Sequence, residues 1–182
     1  MNAGRIEVIT GSMFSGKTEE LIRRVRRALF AHQKVQAFKP KIDDRYSPTK
    51  IVSHGDITIE ATPLEGTASL AALIETDTQI VALDEAQFFH DDVVGIVNRL
   101  ADQGKRVIVA GLDQDFQGLP FGPMPSLMAI AEQVTKVHAV CNKCGADASR
   151  TQRFDHTNDV NQVRVGGASD YEARCRACHV VG

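Results

Sequence analysis

Apolar positions along this chain switch between a helical and an extended period, and the switches lay out alternating strands and helices. Residues 5–10 (Arg-Ile-Glu-Val-Ile-Thr) form a short β-rich run that stops at Gly11. Leu21, Ile22, Val25, Ala28 and Leu29 then recur at helical spacing. A strand is expected at 35–38, closed by a loop over 39–45 that Pro40 and several charges mark. Strand-like fragments such as Ile57-Thr58-Ile59 lie within 46–61, and 64–75 reads as a helix. The runs 79–83 and 106–110 are continuously apolar, as in strands covered on both faces. Between them, 92–102 has helical spacing through Val93, Val94, Ile96, Val97 and Leu100. A further helix is expected at 126–131 and a last strand at 134–140. Such alternation builds an α/β fold, a parallel sheet with helices on both faces and its ligand at the carboxyl ends of the strands.

Composition narrows this little. The 182 residues are 43% apolar and 24% charged, which suits one soluble globular domain with a small appendage. A formal net charge of −2 argues against a general nucleic-acid binder. No long apolar segment opens the chain, so neither a signal peptide nor a membrane span is expected, and the cytoplasm is the expected location. Arg23, Arg24, Arg26 and Arg27 read as the solvated face of the first helix.

The chemistry begins where the first strand ends. Gly11-Ser12-Met13-Phe14-Ser15-Gly16-Lys17-Thr18 fits G-x-x-x-x-G-K-[ST], the phosphate-binding loop of P-loop nucleotide enzymes. The strand before it and the helix after it are the context this motif needs. Lys17 carries the charge for the β and γ phosphates and Thr18 the hydroxyl for Mg²⁺. The helix adds its partly positive N-terminus. A nucleoside triphosphate such as ATP is therefore expected. The apolar run 79–83 leads into Asp84-Glu85-Ala86-Gln87. An acid at the tip of a buried strand is costly unless it meets a cation, so Asp84 is expected to serve Mg²⁺. Adjacent Glu85 points elsewhere, toward an acceptor: a kinase would use it on a hydroxyl and an ATPase on water. The pair alone does not separate these uses.

All four cysteines stand near the end of the chain, as Cys141/Cys144 and Cys175/Cys178. Two C-x-x-C pairs suit one tetrahedral structural zinc better than redox pairs or unmetallated thiols. Lys143, Arg174 and Arg176 are placed to offset the charge of four thiolates, and His179 reads as a solvated neighbour. The long polar stretch between the pairs, 145–174, is too poor in large apolar residues for a core of its own. It reads as a lid stapled at its base. Lids exclude water, the competing phosphoryl acceptor. This divides the chain into a nucleotide-binding domain at 1–140 and a zinc-binding subdomain with a substrate lid at 141–182.

Taken in order, these motifs resemble the zinc-containing thymidine kinase family. The likeness rests on 11–18, Asp44-Arg45-Tyr46-Ser47, Ser53-His54 and Asp84 to Phe89. It continues through Gly111-Leu112-Asp113, Phe116, Pro120-Phe121-Gly122, Thr151-Gln152-Arg153, Gly166-Gly167 with Tyr171, and the cysteine pairs. The resemblance implies transfer of the γ-phosphoryl group of ATP to the 5′-hydroxyl of thymidine or deoxyuridine, with Glu85 as general base. It places Gln87 in the nucleotide-binding stretch and Met13, Phe88, Leu112, Phe116, Thr151 and Tyr171 around the thymine. Asp43 and Arg45 match positions near the acceptor end and the phosphates. Lid backbone around Val163, Val165, Gly166 and Gly167 would read the pyrimidine edge. It further implies a homotetramer with dTTP as feedback inhibitor. Three positions depart from the family pattern: Ser12, where proline is common, Gly55-Asp56, where the reverse order is usual, and Ser169, at an often acidic position.

Overall fold

The computed structural model describes residues 4–42, 49–52, 58–154 and 166–181. Its main body is a six-stranded sheet of β1 (Arg5–Thr10), β2 (Val35–Pro40), β5 (Thr62–Leu64), β6 (Ile80–Leu83), β7 (Arg106–Gly111) and β8 (Gln133–Lys136). The spatial order is β5-β2-β6-β7-β1-β8, and every neighbouring pair is parallel. Helix α1 (Lys17–Phe30) covers one face together with the antiparallel hairpin of β3 (Lys50–Val52) and β4 (Thr58–Glu60). The short α2 (Leu70–Leu73), α3 (Val93–Asp102) and α4 (Met124–Ile130) cover the other. Ile6 and Val8 face α3 and α4, while Ile9 faces α1. Val81 and Leu83 alternate with Ile80 and Ala82 in the same way. Both faces are buried, which is why these strands read as unbroken apolar runs.

Four expectations about elements need correction. The span 64–75 is not one helix: Leu64 ends the edge strand β5, a 3₁₀ turn spans Thr67–Ser69, and only one helical turn follows. Pairing of β5 with β2 outweighs the local helical pattern. Strand β2 runs on through Lys39 to Pro40, since a proline is tolerated at a strand end. The expected strand at 134–140 is two pieces. β8 lies beside β1, whereas β9 (Ala139–Val140) pairs with β10 (Asp147–Ala148) outside the main sheet. Finally, the stretch 145–174 is not lid throughout. β11 (Arg150–Arg153) pairs antiparallel with β12 (Tyr171–Arg174), and Ala148 and Ala173 pack with Ala139 and Cys141 in a small core. Between these strands, residues 155–165, on which the lid reading falls, lie outside the described residues.

The arginine face of α1 also differs from expectation. Arg24 is buried rather than solvated. Its guanidinium reaches Glu7 at 2.9 Å, Glu20 at 2.8 Å and the Thr135 hydroxyl at 3.0 Å. Glu7 also accepts from Arg5 and from both arms of Arg106. This network ties α1, β1, β7 and β8 together. Burial alone would push the Glu7 carboxyl up, but the guanidiniums of Arg106, Arg5 and Arg24 outweigh it and bring the carboxyl down to about 2. With the folded value below the unfolded one, this stability is fully present above about pH 4.5 and is lost as pH falls toward 2. Glu7→Gln strands Arg24 without its buried partner and should cost about 3–5 kcal/mol in urea unfolding at neutral pH. The variant should also lose less stability between pH 5 and 2 than the parent; equal acid sensitivity would remove Glu7 as its source.

Candidate active site

The loop 11–18 leaves β1 at the carboxyl edge of the sheet, and Gly16 in a left-handed conformation (φ 84°) opens α1. Phe14 is left-handed as well (φ 62°). The Lys17 ammonium folds back on the Ser12 carbonyl at 2.7 Å, inside the curve of the loop where a phosphate would sit. The Thr18 hydroxyl lies 3.3 Å from Asp84 Oδ2, so the two groups expected to serve Mg²⁺ meet although 66 residues separate them. Asp84 is buried at the tip of β6. Its other oxygen accepts from the Glu85 backbone N–H at 2.9 Å. Glu85 is one of only three non-glycine residues with positive φ among those described (φ 50°). Glu85 lines the same cavity as Asp84. A hydroxyl and a carboxylate at this spacing are the donor set a hard cation takes.

The same cavity also has apolar walls. Met13, Phe88, Leu112, Phe116, Phe121 and Tyr171 line it. Phe88 meets Phe121 edge-on at 5.8 Å between centroids. The Arg153 guanidinium lies 3.5 Å from the centroid of Phe116 and fixes that ring from behind. A flat heterocycle suits such walls, and a charged chain suits the loop end.

The cysteine region supports this cavity directly. The sulfurs of Cys141, Cys144, Cys175 and Cys178 all lie within 4.8 Å of one another. The Cys144–Cys175 separation is 3.7 Å, close to the ~3.8 Å edge of a tetrahedron with ~2.3 Å zinc–sulfur bonds. The backbone N–H of Cys175 draws the Cys141 thiol down to about 6, while Cys175 and Cys144 push Cys178 up to about 12. Four sulfurs this close do not all ionise unless a cation shares them, so the set fits zinc. Phe14 of the phosphate loop packs against the small core of Ala139, Cys141, Ala148 and Ala173, as do Cys175 and Cys178. The loop is further held where Met13 N–H donates to Thr151 Oγ1 at 3.0 Å and Ser12 Oγ to the Ala148 carbonyl at 3.3 Å. Serine at position 12 thus supplies a bond that proline could not.

A model of the thymidine kinase family matches residues 4–179. The chain belongs to the thymidine kinase family. It is an ATP-dependent phosphotransferase acting on thymidine. In the kinase, Met13 through Thr18, Asp84, Glu85, Phe88, Leu112, Phe116, Thr151, Gly166 and Tyr171 converge on one cavity. Gln87 stands behind its wall, and Gly11, Ser12 and Gly167 do not line it. Asp43, Arg45, Val163 and Val165 lie outside the described residues, as does the Gly55-Asp56 departure. Ser169 hydrogen-bonds Asp170 at 3.0 Å. His179 is not simply solvated: its Nε2 sits 2.8 Å from the Phe116 carbonyl. Arg174 donates to the Cys178 carbonyl and pairs with Glu172.

Several residues lining the cavity of the kinase escape a reading of the sequence. Lys39 is buried at the carboxyl end of β2 and lines the cavity with Lys50, Gln114 and Asp115. Its signal is present: a lysine ending an apolar parallel strand is as unusual as Asp84 ending β6. Assigning 39–45 to a loop hides it. Phe121 stands out in the sequence only as part of a motif.

Proposed function

We propose that Glu85 takes the proton of the thymidine 5′-hydroxyl as that oxygen attacks the γ-phosphorus of ATP. The triphosphate lies along 11–18, where Lys17 turns from the Ser12 carbonyl to the phosphates and the amides at the start of α1 face the same charge. Thr18 and Asp84 hold Mg²⁺, which when bound offsets charge on the transferred group. Thymine lies between Met13, Phe88, Phe116 and Tyr171. Asp43 and Arg45 serve the acceptor end, and the backbone of 163–167 closes on the base. The observation that carries this reading is the left-handed turn at Glu85. Two adjacent carboxylates reach one cavity there with different partners, Asp84 beside the Thr18 hydroxyl and Glu85 bonded to Gln87, which supports separate tasks for them.

A panel of deoxynucleosides with ATP tests the acceptor. A lid that accepts from N3–H and donates to O4 suits thymine and uracil, whereas cytosine presents the opposite pattern and leaves buried groups unpaired. The kcat/KM for thymidine and deoxyuridine should exceed that for deoxycytidine roughly 10²-fold or more. Comparable use of deoxycytidine would remove that account of the lid. The reading extends to a cytoplasmic homotetramer inhibited by dTTP, which light scattering and dTTP titration test.

A further inference from the structure

Gln87 sits one layer behind the cavity, 3% exposed. Both ends of its amide are engaged. Nε2 donates to Glu85 Oε2 at 2.5 Å, and Oε1 accepts from the Leu112 backbone N–H at 2.9 Å. One side chain therefore joins the proton-accepting carboxylate to the strand end that supplies Leu112, a wall of the nucleoside cavity. The space it occupies is kept clear by two glycines. A Cβ on Gly111 would come within 2.9 Å of Gln87 Oε1 and 2.6 Å of Met124 Sδ. A Cβ on Gly122 would come within 2.4 Å of the Gln87 carbonyl oxygen.

The chemistry of this link admits one residue type. The Glu85 end needs a donor, because an ionised carboxylate only accepts; the Leu112 end needs an acceptor, because a backbone amide only donates. Glutamine carries both on one planar head. Asparagine is one carbon too short to span them, and glutamate puts a second carboxylate against the first. The 2.5 Å bond from Gln87 Nε2 ties one oxygen of the Glu85 carboxylate to this amide.

We propose that Gln87 is the positioning residue of the transfer step: it fixes the Glu85 carboxylate relative to the bound nucleoside by bracing both against one amide. The inference rests on Glu85 being the general base. It differs from placing Gln87 among nucleotide-binding groups, because its amide is spent on the protein itself.

The test compares Gln87→Met and Gln87→Glu in the full-length enzyme, each alone and combined with Glu85→Gln. Gln87→Glu keeps the acceptor for Leu112 and sets a second carboxylate against Glu85 in place of the donor. It should lower kcat about 10- to 100-fold, as a misaimed catalytic group does, with thymidine KM changed less than about threefold. Gln87→Met should lower kcat at least as much. In the Glu85→Gln background, either change should cost less than about a further threefold, since no base remains to be aimed. Thermal melting checks that both variants fold; Gln87→Glu serves if Gln87→Met does not. Equal loss in both backgrounds, or a raised KM with kcat unchanged, overturns the proposal. A Glu85→Gln enzyme that turns over normally overturns the base assignment, and this inference with it.

Discussion

Replacing Glu85 by Gln is expected to lower kcat for thymidine phosphorylation by about 10²–10⁴-fold, the usual contribution of a positioned general base. The substitution preserves volume and still accepts from Gln87, so the 3₁₀ turn at Ala86–Phe88 that follows should persist. What disappears is the ability to take a proton. Affinity for ATP should stay within about threefold, because the groups proposed to hold it belong to 11–18 and Asp84 rather than to residue 85. Pre-steady-state rates of phosphoryl transfer, together with ATP binding by calorimetry, separate these effects. Turnover within about threefold of the parent would remove Glu85 from the role. Loss of both kcat and ATP affinity would instead point to a disturbed Asp84, whose oxygen receives the Glu85 N–H.

Removing the metal from the four-cysteine site should act at a distance, on the phosphate loop. Structural zinc contributes about 10–16 kcal/mol in peptides that fold only around it, so the small core of Ala139, Ala148 and Ala173 is not expected to hold alone. That core carries Phe14, and the strands beside it carry the partners of Met13 N–H and Ser12 Oγ. Chelation, or Cys141→Ser at the buried ligand, should therefore lower the thermal midpoint and weaken ATP binding at least about tenfold, ~1.4 kcal/mol. Metal analysis of the untreated protein should give about one zinc per chain, as one shared tetrahedral site requires. Stripped protein that binds ATP as tightly as the parent would show that the loop stands without the cysteine unit. Two C-x-x-C pairs alone suggest a staple for a lid; the contacts make them a prop for the nucleotide site.

Residues with fixed local chemistry are legible in the chain alone. The phosphate loop is readable because each of its positions answers a local need: a turn, a charge or a hydroxyl. The strands β1, β6 and β7 are readable because parallel strands buried on two faces must be apolar throughout. Asp84 is readable because a carboxylate ending such a strand requires a reason. The misreadings share one cause. Leu64 looks helical beside Leu70 and Leu73, yet a partner strand 24 positions earlier claims it for the sheet edge. Arg24 looks solvated because its neighbours Arg23, Arg26 and Arg27 are polar, yet Glu7 waits 17 positions earlier to bury it. Lys39 looks like a loop charge because Pro40 follows it. In each case the deciding partner is remote in sequence, where periodicity carries no information.

The sequence by itself determined the α/β class, and it made the phosphate-loop motif, the paired acids and the two cysteine pairs legible, because these depend on residue type and short spacing. The likeness of those motifs, in order, named the family that its whole-chain match then showed. Only the tertiary structure decided how the parts act on one another: Thr18 beside Asp84, Phe14 on the cysteine core, and Gln87 between Glu85 and Leu112. Apart from the local Gln87–Glu85 bond, these contacts join segments 25 to more than 100 residues apart, and no local preference of the chain encodes which distant donor will meet which acceptor. Packing of the sheet and its two covered faces makes that choice, and with it sets the geometry of the transfer.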